Sequence, residues 1–228
     1  MESMIRAAAE SGVDFIKFQS FKADKLRADY PNRVEEYKYY KRHELSEVDH
    51  FFIMERCHHY GIKMLTTVYD LETVNFLADE LGIRQVKIAS PDMSNWDLID
   101  ACLRKFDKVF ISTGMHSTQE INKLGAYTYS KPVVLLHCVS QYPAPRDSLN
   151  MNRLERCHGF SDHTQTLDAS KLVISLGADY IERHFTLSRY LPGRDQAFSS
   201  TPEEFDELVQ YRDKVKVMMG ANTPKYLT

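Results

Sequence analysis

Short apolar runs recur along this chain, and from the second onward they start 22 to 25 residues apart. They are FIKFQSF from Phe15, KMLTTVY from Lys63, QVKIAS from Gln85, KVFISTG from Lys108, VVLLHC from Val133, HGFSDH from His158 and YIERHF from Tyr180. That interval is the length of one strand, one helix and their turns. The runs are nearly continuous rather than alternating, so each strand buries both faces, as in a parallel sheet covered by helices. The segments between them carry helix boundaries. Ser46 precedes EVDHFFIMERCHHY and Gly61 follows it; Asp70 precedes LETVNFLADEL and Gly82 follows it. Seven such units favour an α/β (β/α)8 TIM-type barrel over a doubly wound sheet, and no GxGxxG follows the first run to support dinucleotide binding. The opening MESMIRAAAESG reads as an amphipathic helix with no strand before it. The expectation is therefore a barrel lacking its first strand. The polar, tyrosine-rich segment from Lys22 to Glu44 breaks the rhythm and is expected to be a long loop partly covering the barrel mouth.

Net charge is −3, with 43% hydrophobic and 27% charged residues, which gives no sign of nucleic acid as a partner. Cys57, Cys102, Cys138 and Cys157 are widely spaced without a CxxC pair, against a zinc ribbon or a disulfide scaffold and in favour of a reducing compartment. No apolar run approaches the ~20 residues that span a bilayer. A soluble cytoplasmic protein is the expectation.

The active face of such a barrel lies at the C-terminal ends of its strands. Those ends carry Lys17 and Gln19, Thr66 and Thr67, Lys87 and Ser90, Ser112 and Thr113, His137, Ser161 and His163, then Glu182 and His184. Two lysines among hydroxyls suit a phosphate or carboxylate. Two histidines on consecutive strands, with Glu182 two residues before His184, suit a divalent metal. Residues i and i+2 share a strand face, so Lys17 and Gln19 pair up, as do Ser161 and His163, and Glu182 and His184. Lys17 alone reads as structural and His137 as a core histidine. Ser90, three residues from Lys87, belongs in the turn. Asp162 points to the face opposite His163 and reads as structural, and Thr164 starts the next turn.

Seven ordered blocks carry a family resemblance: FIKFQSFKADKL, HHYGIKMLTTVYDLETVNFL, VKIASPDMSN, FISTGMHSTQEI, VLLHCVSQYPAP, GFSDHT and IERHFTL. Together they resemble the N-acetylneuraminate (sialic acid) synthase family, whose relatives make legionaminic and pseudaminic acids. The resemblance implies a TIM-type barrel that condenses phosphoenolpyruvate with an open-chain N-acylated hexosamine, N-acetylmannosamine-like, using Mn2+ or Mg2+ and releasing phosphate. It implies that Lys17, Thr67, Lys87, Ser90, Ser112 and Ser161 surround phosphoenolpyruvate, with Ser140 and Tyr142 beside it. By the same resemblance His163 and His184 ligate the metal, Glu182 faces the reacting centre and Asp195 contacts the acceptor sugar; Glu182, Lys87 and His184 are the expected catalytic residues, with Glu182 the candidate for proton handling. A homodimer is the family's habit.

The match has departures. The family's opening strand, with its AEIGxNHxG-like motif and glutamate, has no counterpart. Residues 1–220 are expected to form the barrel and 221–228 to begin a linker, without the antifreeze-like domain that commonly follows. The usual GPDH after the last strand reads GRDQ from Gly193 to Gln196. Two alternatives stand beside an active synthase: a barrel that binds metal and ligand without turnover, and a related aldolase acting on a sugar phosphate.

Overall fold

The computed structural model describes residues 1–26, 33–129 and 131–220. All seven apolar runs form strands: β1 Phe15–Ser20, β2 Lys63–Val68, β3 Gln85–Ile88, β4 Lys108–Ser112, β5 Val133–Cys138, β6 Gly159–Asp162 and β7 Tyr180–Arg183. They make one parallel sheet in sequence order, each strand pairing with the next. Helices α1 Glu2–Glu10, α2 Arg33–His43, α3 Glu47–Tyr60, α4 Leu71–Asn75, α5 Trp96–Lys105, α6 Thr118–Thr128, α7 Asp168–Ser175 and α8 Pro202–Met219 accompany them.

The sheet curls as a barrel does. From the middle strand, Phe110 reaches Phe15 on one edge strand (ring centroids 6.2 Å) and Tyr180 on the other (5.2 Å). Lys108 Nζ also donates to the Tyr180 hydroxyl at 3.0 Å. A flat sheet cannot bring its fourth strand against its first and seventh. Leu65, Phe110, Val134 and Leu136 form this interior apolar layer. On the outer face Val86, Ile88, Val109, Ile111 and Leu135 join Val74, Leu77, Leu98, Ile99, Ile121 and Leu124 in the largest core cluster. Each such buried aliphatic side chain contributes about 1.5–3 kcal/mol.

Among the described residues no hydrogen bonds join β7 to β1, so the architecture is an incomplete (β/α)8 barrel, open along one seam. Side chains and helices bridge that seam instead. Helix α1, which leads into β1, packs on α8, which follows β7. Ser11 Oγ donates to the Pro202 carbonyl at 3.1 Å, and Arg212 pairs with Asp14 at 3.1 Å. Phe185, just past β7, packs into the Ile5, Ile16 and Ile53 cluster behind β1.

Helix boundaries follow local chemistry. Ser46 caps α3 with a capping box to Asp49, and Gly61 ends it at φ 71°, where a side chain would be strained. Asp70 accepts from the Thr73 amide at 2.8 Å and starts α4, which continues through a π-helical turn over Phe76–Glu80 before Gly82. The segment from Lys22 to Glu44 is not the expected loop: within it Ala23–Lys25 is a 3-10 turn and Arg33–His43 is helix. RVEEYKYYKRH has neither Gly nor Pro, and Glu35 and Glu36 lie in its first turn with Lys41, Arg42 and His43 in its last. Those charges complement the helix dipole, so a polar sequence without an apolar stripe still holds a helix here. Residues 27–32 of that segment lie outside the described residues. No described helix is long and apolar enough to cross a membrane.

Candidate active site

Above the Phe110 layer the barrel interior turns polar, because alternate positions on each strand share the inner face. Lys17, Thr67, Lys87, Ser112, Ser161 and Glu182 converge there. Lys87, 3% exposed, donates from Nζ to Ser112 Oγ at 2.5 Å and to the Ile88 carbonyl at 3.2 Å. Lys17 Nζ lies 3.4 Å from Thr67 Oγ1. Ser161 Oγ donates to Glu182 Oε1 at 2.9 Å. Burial pushes the Lys87 ammonium pKa down, while Glu182 opposes the shift. Burial also raises the Glu182 carboxyl pKa, but Lys87 and Lys17 outweigh it and hold the group at about 2. Two lysines against one carboxylate leave a surplus positive charge, ringed by neutral donors. That arrangement is electrostatically suited to an anion.

His163 and His184 follow β6 and β7 on the same inner face, with ring centroids 5.5 Å apart. His163 Nδ1 is 2.8 Å from the Val139 carbonyl, so it carries the proton and leaves the Nε2 lone pair free on the Ser161 side. His184 Nδ1 lies 3.5 Å from Asp195 Oδ2. Burial lowers both imidazoles; for His184, burial, then Lys17 and His163, take it to about 3. Neutral rings oriented through one nitrogen by an oxygen are the form a metal ligand takes. Among the described residues no group of three or more His, Cys, Asp or Glu is placed to hold a metal ion. Two imidazoles could supply two ligands of a divalent cation, and oxygens of water or ligand would have to supply the rest.

An aromatic wall stands beside this pair. The Tyr142 ring lies 4.4 Å from His163 and 5.8 Å from His184, and Phe198 lies 5.3 Å from His184. Tyr142 precedes Pro143 through a cis peptide bond. Ser90 opens the 3-10 turn after β3, as its spacing from Lys87 requires. Its hydroxyl accepts from the Gly114 amide at 3.1 Å and sits 3.1 Å from Cys138 Sγ.

Gly114 is a site residue that the sequence reading missed. A Cβ there would press on Ser140 Oγ and lie 2.7 Å from Cys138 Sγ and 2.9 Å from Ser90 Oγ. The signal was present as the glycine of STGM directly after β4. A cavity of about 430 Å3 is lined by Cys138, Ser140, Asn150 and Arg153.

The opposite face carries support. Asp162, expected to be structural, is buried against Arg183, accepts from Ser170 Oγ at 2.5 Å and from the Thr164 amide at 2.8 Å. Arg183 also donates to Ser200 Oγ at 2.8 Å and to the Thr164 carbonyl at 2.9 Å. The network fixes the turns that present His163 and His184. His137 is a core histidine as read, its Nε2 2.6 Å from the Leu149 carbonyl and its ring against Phe160. Thr66 faces outward to Ser20 at 2.6 Å, away from the site. Thr113 bonds the Leu136 carbonyl at 3.3 Å.

Residues 4–224 match the model of the NeuB family. The chain belongs to the NeuB family. This NeuB chain is 34% identical over 249 residues to the N,N'-diacetyllegionaminic acid synthase of Legionella pneumophila, an alignment covering 98% of this chain and 70% of that protein. It is 28% identical over 246 residues to human N-acetylneuraminate-9-phosphate synthase, covering 98% of this chain and 68% of that protein. The solved N-acetylneuraminic acid (sialic acid) synthetase of Leptospira borgpetersenii serovar Hardjo-bovis, in complex with citrate, superimposes with a TM-score of 0.90 at 27% identity, over 99% of this chain and 81% of that one. NeuB is a family of phosphoenolpyruvate-dependent nonulosonic acid synthases, which classes this chain among enzymes.

Proposed function

We propose that this chain condenses phosphoenolpyruvate with an open-chain N-acylated hexosamine, forming a nonulosonic acid and inorganic phosphate. The observation that carries the reading is the convergence of Lys17 and Lys87 on Glu182, directly beside two neutral histidines. The two lysines, with Thr67, Ser90, Ser112 and Ser161, receive the phosphate and carboxylate of phosphoenolpyruvate, and Ser140 and Tyr142 flank it. Holding both anionic ends fixes the vinyl carbon C3 against the aldehyde carbon of the acceptor. A divalent cation, Mn2+ or Mg2+, would be held by His163 and His184 and would supply Lewis-acid polarisation of the aldehyde oxygen. Asp195, beside His184, contacts the acceptor sugar.

In the reaction C3 bonds to the aldehyde carbon, the aldehyde oxygen gains a proton, and positive charge develops at C2. Water adds at C2 and gives up a proton, and the resulting hemiketal phosphate loses inorganic phosphate by C–O cleavage. Glu182 takes the proton of the attacking water. Its low proton affinity in the free protein comes from the lysines. Once a substrate anion neutralises them, the carboxylate becomes a better base.

The test is a phosphate-release assay with Mn2+, phosphoenolpyruvate and a panel of free and phosphorylated N-acylated hexosamines, with products read by mass spectrometry. Release with a free sugar supports the reading, and release with phosphorylated sugars alone assigns the sugar-phosphate alternative. Binding of phosphoenolpyruvate and Mn2+ without release for any acceptor would make the chain a non-catalytic barrel.

A further inference from the structure

The connection after β7 ends at Asp195 and Phe198, which flank His184. Its base is pinned: the Ser200 amide donates to the His184 carbonyl at 2.8 Å and the Thr186 amide to the Ser200 carbonyl at 2.9 Å. Its tip is not packed, and Tyr190 there is 99% exposed. At that tip Arg194 reaches Glu36, 158 positions earlier in the chain, and Tyr39 on the same helix. Its guanidinium donates to both carboxylate oxygens of Glu36, at 2.6 and 2.8 Å, and lies 3.8 Å from the centroid of the Tyr39 ring. Glu36 and Tyr39 are one turn apart on α2, so a single guanidinium engages one helix face.

That helix belongs to the connection after β1, and β1 and β7 are the unpaired edges of the sheet. On its other contacts α2 is held by small groups: Tyr40 against Phe21 at 5.3 Å, Tyr37 donating to Asp24 at 2.9 Å and Lys41 to Glu44 at 2.9 Å. It buries no apolar stripe. A planar, bidentate pair stacked on an aromatic ring is stronger than an ordinary surface ion pair, and a lysine point charge does not reproduce it.

We propose that Arg194 is a positioning residue for the acceptor: it clasps α2 to the β7 connection across the open seam and so fixes Asp195, the next residue in the chain. The inference rests on the functional reading above. The clasp touches neither Lys17 nor Lys87, so it leaves the phosphoenolpyruvate end unchanged. It acts through a partly exposed ion pair, so salt weakens it.

The experiment compares Arg194→Ala, and the exchange Arg194→Glu with Glu36→Arg, against the unaltered protein. For Arg194→Ala the acceptor KM is expected to rise about tenfold with the phosphoenolpyruvate KM within about twofold, and the exchange to recover part of the loss. An unchanged acceptor KM, or a joint rise of both KM values, overturns the proposal. A second arm needs no turnover: trypsin cleavage after Lys38, Lys41 and Arg42, followed by mass spectrometry. Faster cleavage of α2 in Arg194→Ala supports the clasp, and unchanged cleavage overturns it. If the unaltered protein turns over no acceptor, the functional reading falls by itself and the proteolysis arm decides the clasp.

Discussion

Ser161 and Glu182 are register partners on β6 and β7, and the serine hydroxyl donates to the glutamate at 2.9 Å. Parallel pairing places the two residues side by side on the inner face, so the hydrogen bond follows from strand register. It occupies Oε1 and leaves the other carboxylate oxygen without that partner. Two lysines hold the group ionised.

Replacing Glu182 with Gln keeps the size and the hydrogen bond and removes the charge. Phosphate release is expected to fall about 100-fold or more, with the thermal midpoint little changed. A rate within threefold of the unaltered protein would remove Glu182 from the chemistry.

Gly114→Ala puts a methyl group against the hydroxyls of Ser140 and Ser90 and the sulfur of Cys138. Overpacking of this kind costs about 1–3 kcal/mol. The phosphoenolpyruvate KM is expected to rise more than the acceptor KM, because the three displaced groups adjoin the proposed phosphoenolpyruvate site. Isothermal titration with phosphoenolpyruvate alone checks this, and unchanged affinity would place Gly114 outside the pocket.

Asp162→Ala leaves the Arg183 guanidinium buried without its counter-charge, where the pair is 1% and 0% exposed. The expected loss is about 3–5 kcal/mol of stability, read from urea unfolding midpoints. A loss below 1 kcal/mol would mean that water reaches the arginine.

Metal affinity tests the histidine pair without turnover. His184→Ala is expected to weaken Mn2+ binding about 100-fold, measured from the free-Mn2+ resonance, while folding is retained. Unchanged Mn2+ affinity in this variant would overturn the ligand assignment.

Glu120 closes the α6 capping box with Ser117, whose hydroxyl and amide, helped by His116, lower its carboxyl from an ordinary 4.5 to about 2. The folded carboxyl releases its proton more readily than the unfolded one. The stabilisation is therefore complete above pH 4.5 and is lost as pH falls through about 2. Urea midpoints of Glu120→Gln are expected to lie below those of the unaltered protein at neutral pH and to converge with them in that acid window. Parallel curves would show that the cap carries no charge-dependent stability.

Much of the site was legible because a strand's period of two is rigid. From Lys17, Ser161 and Glu182 the alternation placed Gln19, His163 and His184 on the inner face, and it sent Asp162 outward. Ser90 was placed in a turn because a spacing of three cannot keep one face. Gly114 was visible only as a glycine after β4, since a glycine's role as empty space appears only when its neighbours across the barrel are known. The pairings of Arg183 and of Arg194, the arginine of GRDQ, were not legible for a related reason: their partners lie 21 and 158 residues away.

The sequence by itself determined seven strands, their parallel order and the helix caps, because periodicity, turn residues and N-cap hydroxyls act over a few residues. It misread Lys22–Glu44, where helix propensity and end charges outweighed the lack of an apolar face. Tertiary structure decided how far the sheet curls, how its open seam is bridged, and which lysine meets which carboxylate. Those depend on packing between residues far apart in the chain, such as Phe110 on Phe15 and Tyr180, and no local pattern records it.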